Sequence, residues 1–277
     1  MTADPGWDPA RLAALAGDEA EAAHRLALLS AIGLGMAFDP AGGLKLLRRA
    51  AELGHDLARD SLQVVEALGP LEAWLTPQPA RLASERPHVL IAEGFVAPAV
   101  CAWLRTRAAS RLEPAQVHDP RTGAGLLNPV RTNDAAVFDL PDADMVQVLL
   151  RERIGRLAGL PVAGMEPVQV LRYRVGQAFD WHVDYLDPAS PGHRDNLARR
   201  GQRTATCLVW LNDGYEGGET AFETGDVRHR GRAGDAILWA NVTPDGRPDP
   251  ATRHAGLPPT SGEKWILSQW IRTPPPR

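Results

Sequence analysis

The sequence predicts an α+β protein: a short all-α segment, then an antiparallel barrel or sandwich with a few flanking helices. Three observations carry this. The first eighty residues are rich in alanine and leucine at helical spacing, with helix stops at Gly33, Gly54 and Gly69-Pro70. From Val168 onward, short runs of β-branched and aromatic residues alternate with turn signals, the signature of an antiparallel barrel or sandwich. Between these regions, Pro98 to Ser110 and Asp142 to Leu157 have amphipathic helical patterns and are expected to buttress the barrel.

In the front segment, Ala13-Ala14-Leu15-Ala16-Gly17-Asp18 recurs as Ala50-Ala51-Glu52-Leu53-Gly54-His55. Together with Gly33-Leu34-Gly35 and Leu46-Leu47-Arg48-Arg49, this resembles Sel1-like helical repeats, cousins of tetratricopeptide repeats, over about one repeat and part of a second. So short an array cannot readily bury its own apolar face, so it is expected to pack on the following domain or on another chain. Thr76-Pro77-Gln78-Pro79 reads as the junction, dividing the chain into a helical extension (1–80) and a main domain (86–277). Val89 to Ile91 opens that domain as a strand, and Asp119-Pro120-Arg121-Thr122-Gly123 is loop material.

Val168 to Tyr173 alternates apolar and polar residues as a half-buried strand does, and Gly176 marks a turn before the strand expected to carry His182 and Asp184. Leu186 to Gly201 has loop composition and is expected to form a mobile lid beside that strand. Arg203 to Leu211 is the next strand, broken by Asn212-Asp213-Gly214. Gly217-Gly218 precedes another, Gly234 to Trp239 forms a further one, and Thr260 to Glu263 turns into Lys264 to Ile271. Pro274-Pro275-Pro276 reads as an extended tail.

At 277 residues, the chain can hold one substantial core and a smaller second unit. A net charge of −4 gives no electrostatic case for a nucleic-acid partner. No apolar run approaches a membrane span, and Met1-Thr2-Ala3-Asp4-Pro5 lacks the basic and apolar regions of a signal peptide. Cys101 and Cys207 fall in separate apolar elements and suggest no disulfide, so a cytoplasmic location is expected. Oligomeric state is not legible.

The chemistry-bearing segment is Trp181-His182-Val183-Asp184, answered by Arg253-His254 and Lys264. In an extended strand, positions 182 and 184 project to the same side. Two imidazoles and one carboxylate leave half of an iron's coordination sphere open. A zinc hydrolase also uses such a set, but leaves Lys264 unexplained. His-x-Asp recurs by chance, so the surroundings matter. The other histidines show no ligand spacing and are read as structural or exposed.

Tyr173-x-x-Gly176-x-x-Phe179-x-x-His182-x-Asp184, then Gly217-Gly218-Glu219-Thr220, Arg253-His254, Lys264-Trp265 and Trp270 strongly resemble the prolyl 4-hydroxylase group of Fe(II)/2-oxoglutarate oxygenases. The likeness reaches upstream to Val89–Val96, Arg131-Thr132-Asn133 and Glu166–Val170, spanning roughly residues 86–273. It implies a double-stranded β-helix, a jelly-roll of the cupin kind. It also implies Fe(II) held by His182, Asp184 and His254, with 2-oxoglutarate and O2 as co-substrates and ascorbate as a reductant. Lys264 would pair with the distal carboxylate of 2-oxoglutarate, with hydroxyl bonds from Tyr173 and Thr220. Arg203, Trp270 and Phe179 would line the mouth where a peptide lies, Phe179 standing where many relatives carry tyrosine. An intact Asp184 implies hydroxylation, since related halogenases have a small residue there.

The resemblance therefore implies hydroxylation of an aliphatic carbon, foremost of a prolyl residue in a peptide or protein. Two alternatives stay open. One is the same chemistry on a free amino acid or a non-proline residue of a small modified peptide. The other is a protein that senses iron and 2-oxoglutarate and acts through its helical repeats.

Overall fold

The computed structural model describes residues 5–119 and 121–273, so the proline tail at 274–276 lies outside the described residues. Five helices come first: α1 (Pro9–Leu15), α2 (Ala20–Ile32), α3 (Pro40–Glu52), α4 (Asp56–Glu66) and α5 (Leu71–Leu75). Then follow β1 (Arg81–Ser84), β2 (Val89–Ala92), α6 (Pro98–Ala109), β3 (Glu113–Pro114), β4 (Val117–His118), β5 (Gly125–Leu126), β6 (Asp134–Phe138) and α7 (Met145–Ala158). The chain continues through β7 (Val168–Tyr173), β8 (Phe179–His182), α8 (Pro191–Arg200), β9 (Gln202–Trp210), β10 (Tyr215–Gly217), β11 (Thr220–Phe222) and β12 (Arg228–His229). It closes with β13 (Ala236–Ala240), β14 (His254–Gly256), β15 (Pro259–Gly262) and β16 (Lys264–Thr273). Among the described residues, no helix is long and apolar enough to cross a membrane.

Two compact units emerge. The helical unit comprises residues up to Pro77 together with Asp139–Ala163; the sheet unit comprises Gln78–Phe138 and the chain from Gly164 on. In the helical unit, Asp8 and Asp39 start α1 and α3 by accepting hydrogen bonds from the Ala10 and Gly42 amides at 3.1 and 2.8 Å. Prolines at the first helical position assist both. Helices α2 and α3 approach so closely that a Cβ at Gly43 would lie 2.8 Å from the Ala27 carbonyl oxygen. Only glycine permits that contact.

The unit boundaries differ from the expected linear division. Helix α7, expected to buttress the barrel, packs on α2, α4 and α5. Met145, Val146, Leu149 and Ile154 are all buried. The front helices are too few to enclose their own apolar faces, and a helix from the middle of the chain completes that core. A capping box between Asp144 and Gln147 starts α7, and Gly159 ends it in the left-handed conformation.

The sheet unit holds an eight-stranded antiparallel sheet in the order β1-β2-β13-β9-β16-β7-β6-β3 and a four-stranded sheet in the order β12-β11-β14-β8. This is the jelly-roll arrangement of a double-stranded β-helix. The second half of β9, Cys207 to Trp210, is a continuous apolar run because side chains on both its faces are buried. Val89, Ile91, Leu208, Trp210, Ile237, Trp239 and Ile266 belong to the central apolar cluster.

Two local expectations are corrected. Strand β8 ends at His182, so Asp184 sits in the bend beyond it. The expected loop at 186–201 contains α8, because Pro191 at the first helical position starts a helix. No α8 residue is buried, which is why no apolar periodicity announced it.

Candidate metal centre

Strand alternation brings the site together. On the large sheet, Leu171 and Tyr173, Thr206 and Leu208, and Lys264, Ile266, Ser268 and Trp270 face one cavity at every second position. The small sheet supplies the opposite wall with Phe179, His182, Thr220, His254 and Gly256. Residues far apart in sequence become direct cross-strand partners: His254 opposite His182, Lys264 opposite Tyr173, and Thr220 opposite Gly256. Between β8 and β14, Phe179 pairs with Gly256, so three steps on one strand match two on the other. That bulge turns Phe179 to the same side as His182, and the two rings stack with centroids 3.5 Å apart.

The potential ligand atoms of His182, Asp184 and His254 lie within 4.8 Å of one another. His182 Nε2 is 3.6 Å from Asp184 Oδ1, and His254 Nε2 is 3.7 Å from Asp184 Oδ2. Each imidazole donates its one N–H to backbone: His182 Nδ1 to the Asp180 carbonyl at 2.7 Å, His254 Nδ1 to that of Thr252 at 2.9 Å. These bonds place the proton on Nδ1 and leave both Nε2 lone pairs directed at one point. Burial and the neighbouring His182 lower the His254 pKa to about 4, keeping it neutral. Burial alone would raise the Asp184 pKa, but the two imidazoles and Arg203 outweigh it and hold the carboxyl well below its usual range. A neutral–neutral–anionic donor set suits a divalent first-row metal.

Lys264 is completely buried, and among the described residues its Nζ has no hydrogen-bond partner; neither does the buried Thr220 hydroxyl. Nζ lies 5.0 Å from the centre of the Tyr173 ring. Burial lowers the Lys264 pKa to about 7. An unpartnered buried ammonium is costly, so this end of the cavity is built for an anion. Gly218, at φ 69°, makes the arrangement possible: a Cβ there would stand 3.3 Å from Lys264 Cδ and 3.0 Å from Tyr215 Cε2.

Residues 168–272 match the family model of the 2OG-Fe(II) oxygenase superfamily. A relative described as probable prolyl 4-hydroxylase 4 of Arabidopsis thaliana is 31% identical over 72% of this chain and 72% of its own length. The chain belongs to the prolyl 4-hydroxylase family. Prolyl 4-hydroxylase 1 of the same plant is 33% identical over 67% of this chain and 69% of its own. Among solved structures, the viral collagen prolyl hydroxylase of Paramecium bursaria Chlorella virus-1 is 26% identical, covering 67% of this chain and 96% of that one at a TM-score of 0.49. As a 2OG-Fe(II) oxygenase, this prolyl 4-hydroxylase relative uses Fe(II), 2-oxoglutarate and O2, and the donor set and orphaned Lys264 and Thr220 atoms fit the first two.

Of the expected mouth residues, Phe179 and Trp270 line the cavity, and Arg203 does not. Its guanidinium is engaged by Glu166 through Nε and Nη2 at 2.6 and 2.9 Å and stacks on Trp270, 3.5 Å from the ring centre. Arg272 also donates to Glu166, at 2.6 Å. The shared carboxylate ties Arg203 to Arg272 and, with the Trp270 ring, encloses the Arg203 guanidinium.

Sequence reasoning assigned no role to Arg131, Thr206 or Asn241. Arg131 lines the cavity and lies over the Phe179 ring at 4.8 Å, while Thr206 and Asn241 are bonded behind Asp184. Alternation along β9 could have placed Thr206 on the cavity face, but nothing in the sequence joins it to Asp184 or Asn241.

Ligand spacing also missed a second cluster, Glu21, His24 and His55, whose polar atoms lie within 4.8 Å of one another. His24 stacks on His55 with centroids 4.2 Å apart. His55 Nδ1 accepts from the Ala58 amide at 3.2 Å as the N-cap of α4, so its proton lies on Nε2 and is donated to Glu21 at 3.0 Å. Both His55 ring nitrogens are thereby used. His55 serves as the cap of α4, with Glu21 holding its ring.

Proposed function

We propose that this chain hydroxylates an aliphatic carbon of a prolyl residue in a peptide or protein. The supporting observation is the convergence of His182, Asp184 and His254 at one end of a cavity whose other end holds the unpartnered Lys264 ammonium. Bound Fe(II) supplies oxidative decarboxylation of 2-oxoglutarate to succinate and CO2, one oxygen atom of O2 entering succinate and the other the substrate C–H bond. Everything else falls to the chain. His182 and His254 offer Nε2 lone pairs fixed by their Nδ1–carbonyl bonds, and Asp184 offers an anion. Lys264 pairs with the distal carboxylate of 2-oxoglutarate, with Thr220 donating its hydroxyl hydrogen and Tyr173, pushed up to about 12 chiefly by burial, staying protonated as a donor.

On the substrate side, Phe179 and Trp270 offer apolar walls suited to a pyrrolidine ring. Arg131 adds a buried cation beside Phe179. Ascorbate as reductant, a cytoplasmic location, and a Sel1-like character for the helical unit belong to the same reading. The plant relatives and the rat prolyl 4-hydroxylase subunit alpha-1 carry the prolyl activity in their names, which favours proline over other residues.

The test is succinate release with Fe(II), 2-oxoglutarate and a panel of proline-containing peptides, read by mass spectrometry. A gain of one oxygen on proline that vanishes in His182→Ala is expected. Unchanged turnover in that variant sinks the metal assignment, and oxygen placed on another residue sinks the prolyl one.

A further inference from the structure

Behind the three iron-binding side chains lies a buried polar pair. Thr206 Oγ1 is 2.7 Å from Asp184 Oδ2, and Asn241 Nδ2 is 2.8 Å from Thr206 Oγ1. All three residues are buried, Thr206 at 1% and Asn241 at 0% exposure. The direction of both bonds is forced. An ionised carboxylate can only accept, so the Thr206 hydroxyl hydrogen goes to Asp184. The threonine oxygen then has only lone pairs to offer, and Asn241 must present its amide nitrogen.

We infer that Asn241 and Thr206 form a positioning relay that sets the plane of the Asp184 carboxylate and reserves one of its oxygens. Asp184 sits in a bend beyond the end of β8, so no strand ladder holds it. The relay replaces that ladder. Thr206 lies on β9, and Asn241 follows β13, the neighbour of β9 in the large sheet. Backbone bonds hold Asn241 at both groups: its amide donates to the Thr204 carbonyl at 2.8 Å, and its carbonyl accepts from the Asp249 amide at 3.1 Å. The rigid large sheet therefore reaches across and grips a ligand that belongs to a bend. With Oδ2 held by Thr206 while it lies 3.7 Å from His254 Nε2, and Oδ1 3.6 Å from His182 Nε2, the carboxylate is restrained from turning to chelate with both oxygens. Such chelation would use a coordination position that the co-substrates need. This inference rests on the iron-binding reading of His182, Asp184 and His254.

The test uses the full chain, freed of metal and titrated with Co(II) under anaerobic conditions, following heat release and the visible absorption of bound cobalt. Thr206→Val removes the hydroxyl at nearly constant volume, and Thr206→Ser keeps it. Thr206→Val is expected to bind Co(II) roughly 10- to 100-fold more weakly, with an altered cobalt spectrum, and Thr206→Ser to recover both. Asn241→Ala, acting one bond further away, should lose affinity in the same direction by less. The metal-free melting temperature of each variant separates loss of fold from loss of positioning; should Thr206→Val fail to fold, Asn241→Ala and Thr206→Ser decide the matter. Wild-type affinity and spectrum in a folded Thr206→Val, or in Asn241→Ala, overturn the relay. Absence of Co(II) binding by the unaltered chain, or its persistence in His182→Ala, instead overturns the metal reading beneath it.

Discussion

Lys264 concentrates the electrostatics of the cavity in one side chain. Its pKa is lowered to about 7 by burial, against 10.5 for an ordinary lysine. Between those values the unfolded chain binds more protons than the folded one, so metal-free stability should rise as pH increases from about 7 toward 10.5. The penalty of burying the ammonium is fully present below pH 7. Lys264→Met should therefore raise the melting temperature of the metal-free protein, most clearly below neutrality. The same variant leaves the 2-oxoglutarate carboxylate unpaired, which costs about 3 kcal/mol, or roughly a hundredfold in affinity. Calorimetric titration together with thermal melts checks both halves; a variant that loses stability while keeping affinity contradicts this account of Lys264. In the unaltered chain, affinity for 2-oxoglutarate should decline above pH about 7, because the ammonium form is the one that binds. His254 acts in the opposite pH range. Its folded pKa is about 4 against an ordinary 6.5, so stability falls as pH drops from 6.5 toward 4.

The strands make sites by pairing, and two predictions belong to them. Glu166, just ahead of β7, binds Arg203 of β9 and Arg272 of β16 with three side-chain bonds of 2.6 to 2.9 Å. Glu166→Ala strands two buried guanidiniums and should cost about 3–5 kcal/mol in denaturant unfolding. An effect below 1 kcal/mol would mean that water replaces the carboxylate. Gly218, in the turn between β10 and β11, has a left-handed backbone and lies against the Lys264 stem. Gly218→Val combines backbone strain with displacement of Lys264, so it should weaken 2-oxoglutarate binding more than Fe(II) binding. Equal losses for both ligands would point to general unfolding. The strands themselves were legible beforehand, but their pairing was not. Alternation along Val168–Tyr173, with the turn signals between the later runs, marked where strands lie. Helix α8 was not legible, because a helix with no buried residue leaves no periodic trace, and its proline–glycine start looks like a loop.

Across the full chain, the division into units is not the one a linear reading suggests. Helix α7 lies between two strands in sequence but completes the core of the front helices. A fragment beginning at Gln78 would retain α7 while losing α2, α4 and α5, and so would expose Met145, Val146, Leu149 and Ile154. Such a fragment is expected to bind a hydrophobic dye and aggregate, whereas the full chain does not; dye fluorescence and light scattering measure this. A fragment that stays monomeric and dye-silent would show that α7 does not depend on the front helices.

The order of residues alone was enough to single out His182, Asp184 and His254 as candidate metal donors, and the resemblance to a family implied Lys264, Tyr173 and Thr220 beside them. It could not show that Glu166 sequesters Arg203, that Thr206 and Asn241 grip Asp184, or that α7 joins the front helices. Each of those is a contact between segments distant in the chain, made by ordinary polar or apolar residues with no rare chemistry to mark them. Such partnerships exist only once the sheets and helices have closed on one another, since proximity in space is what selects among many equivalent donors, acceptors and apolar faces.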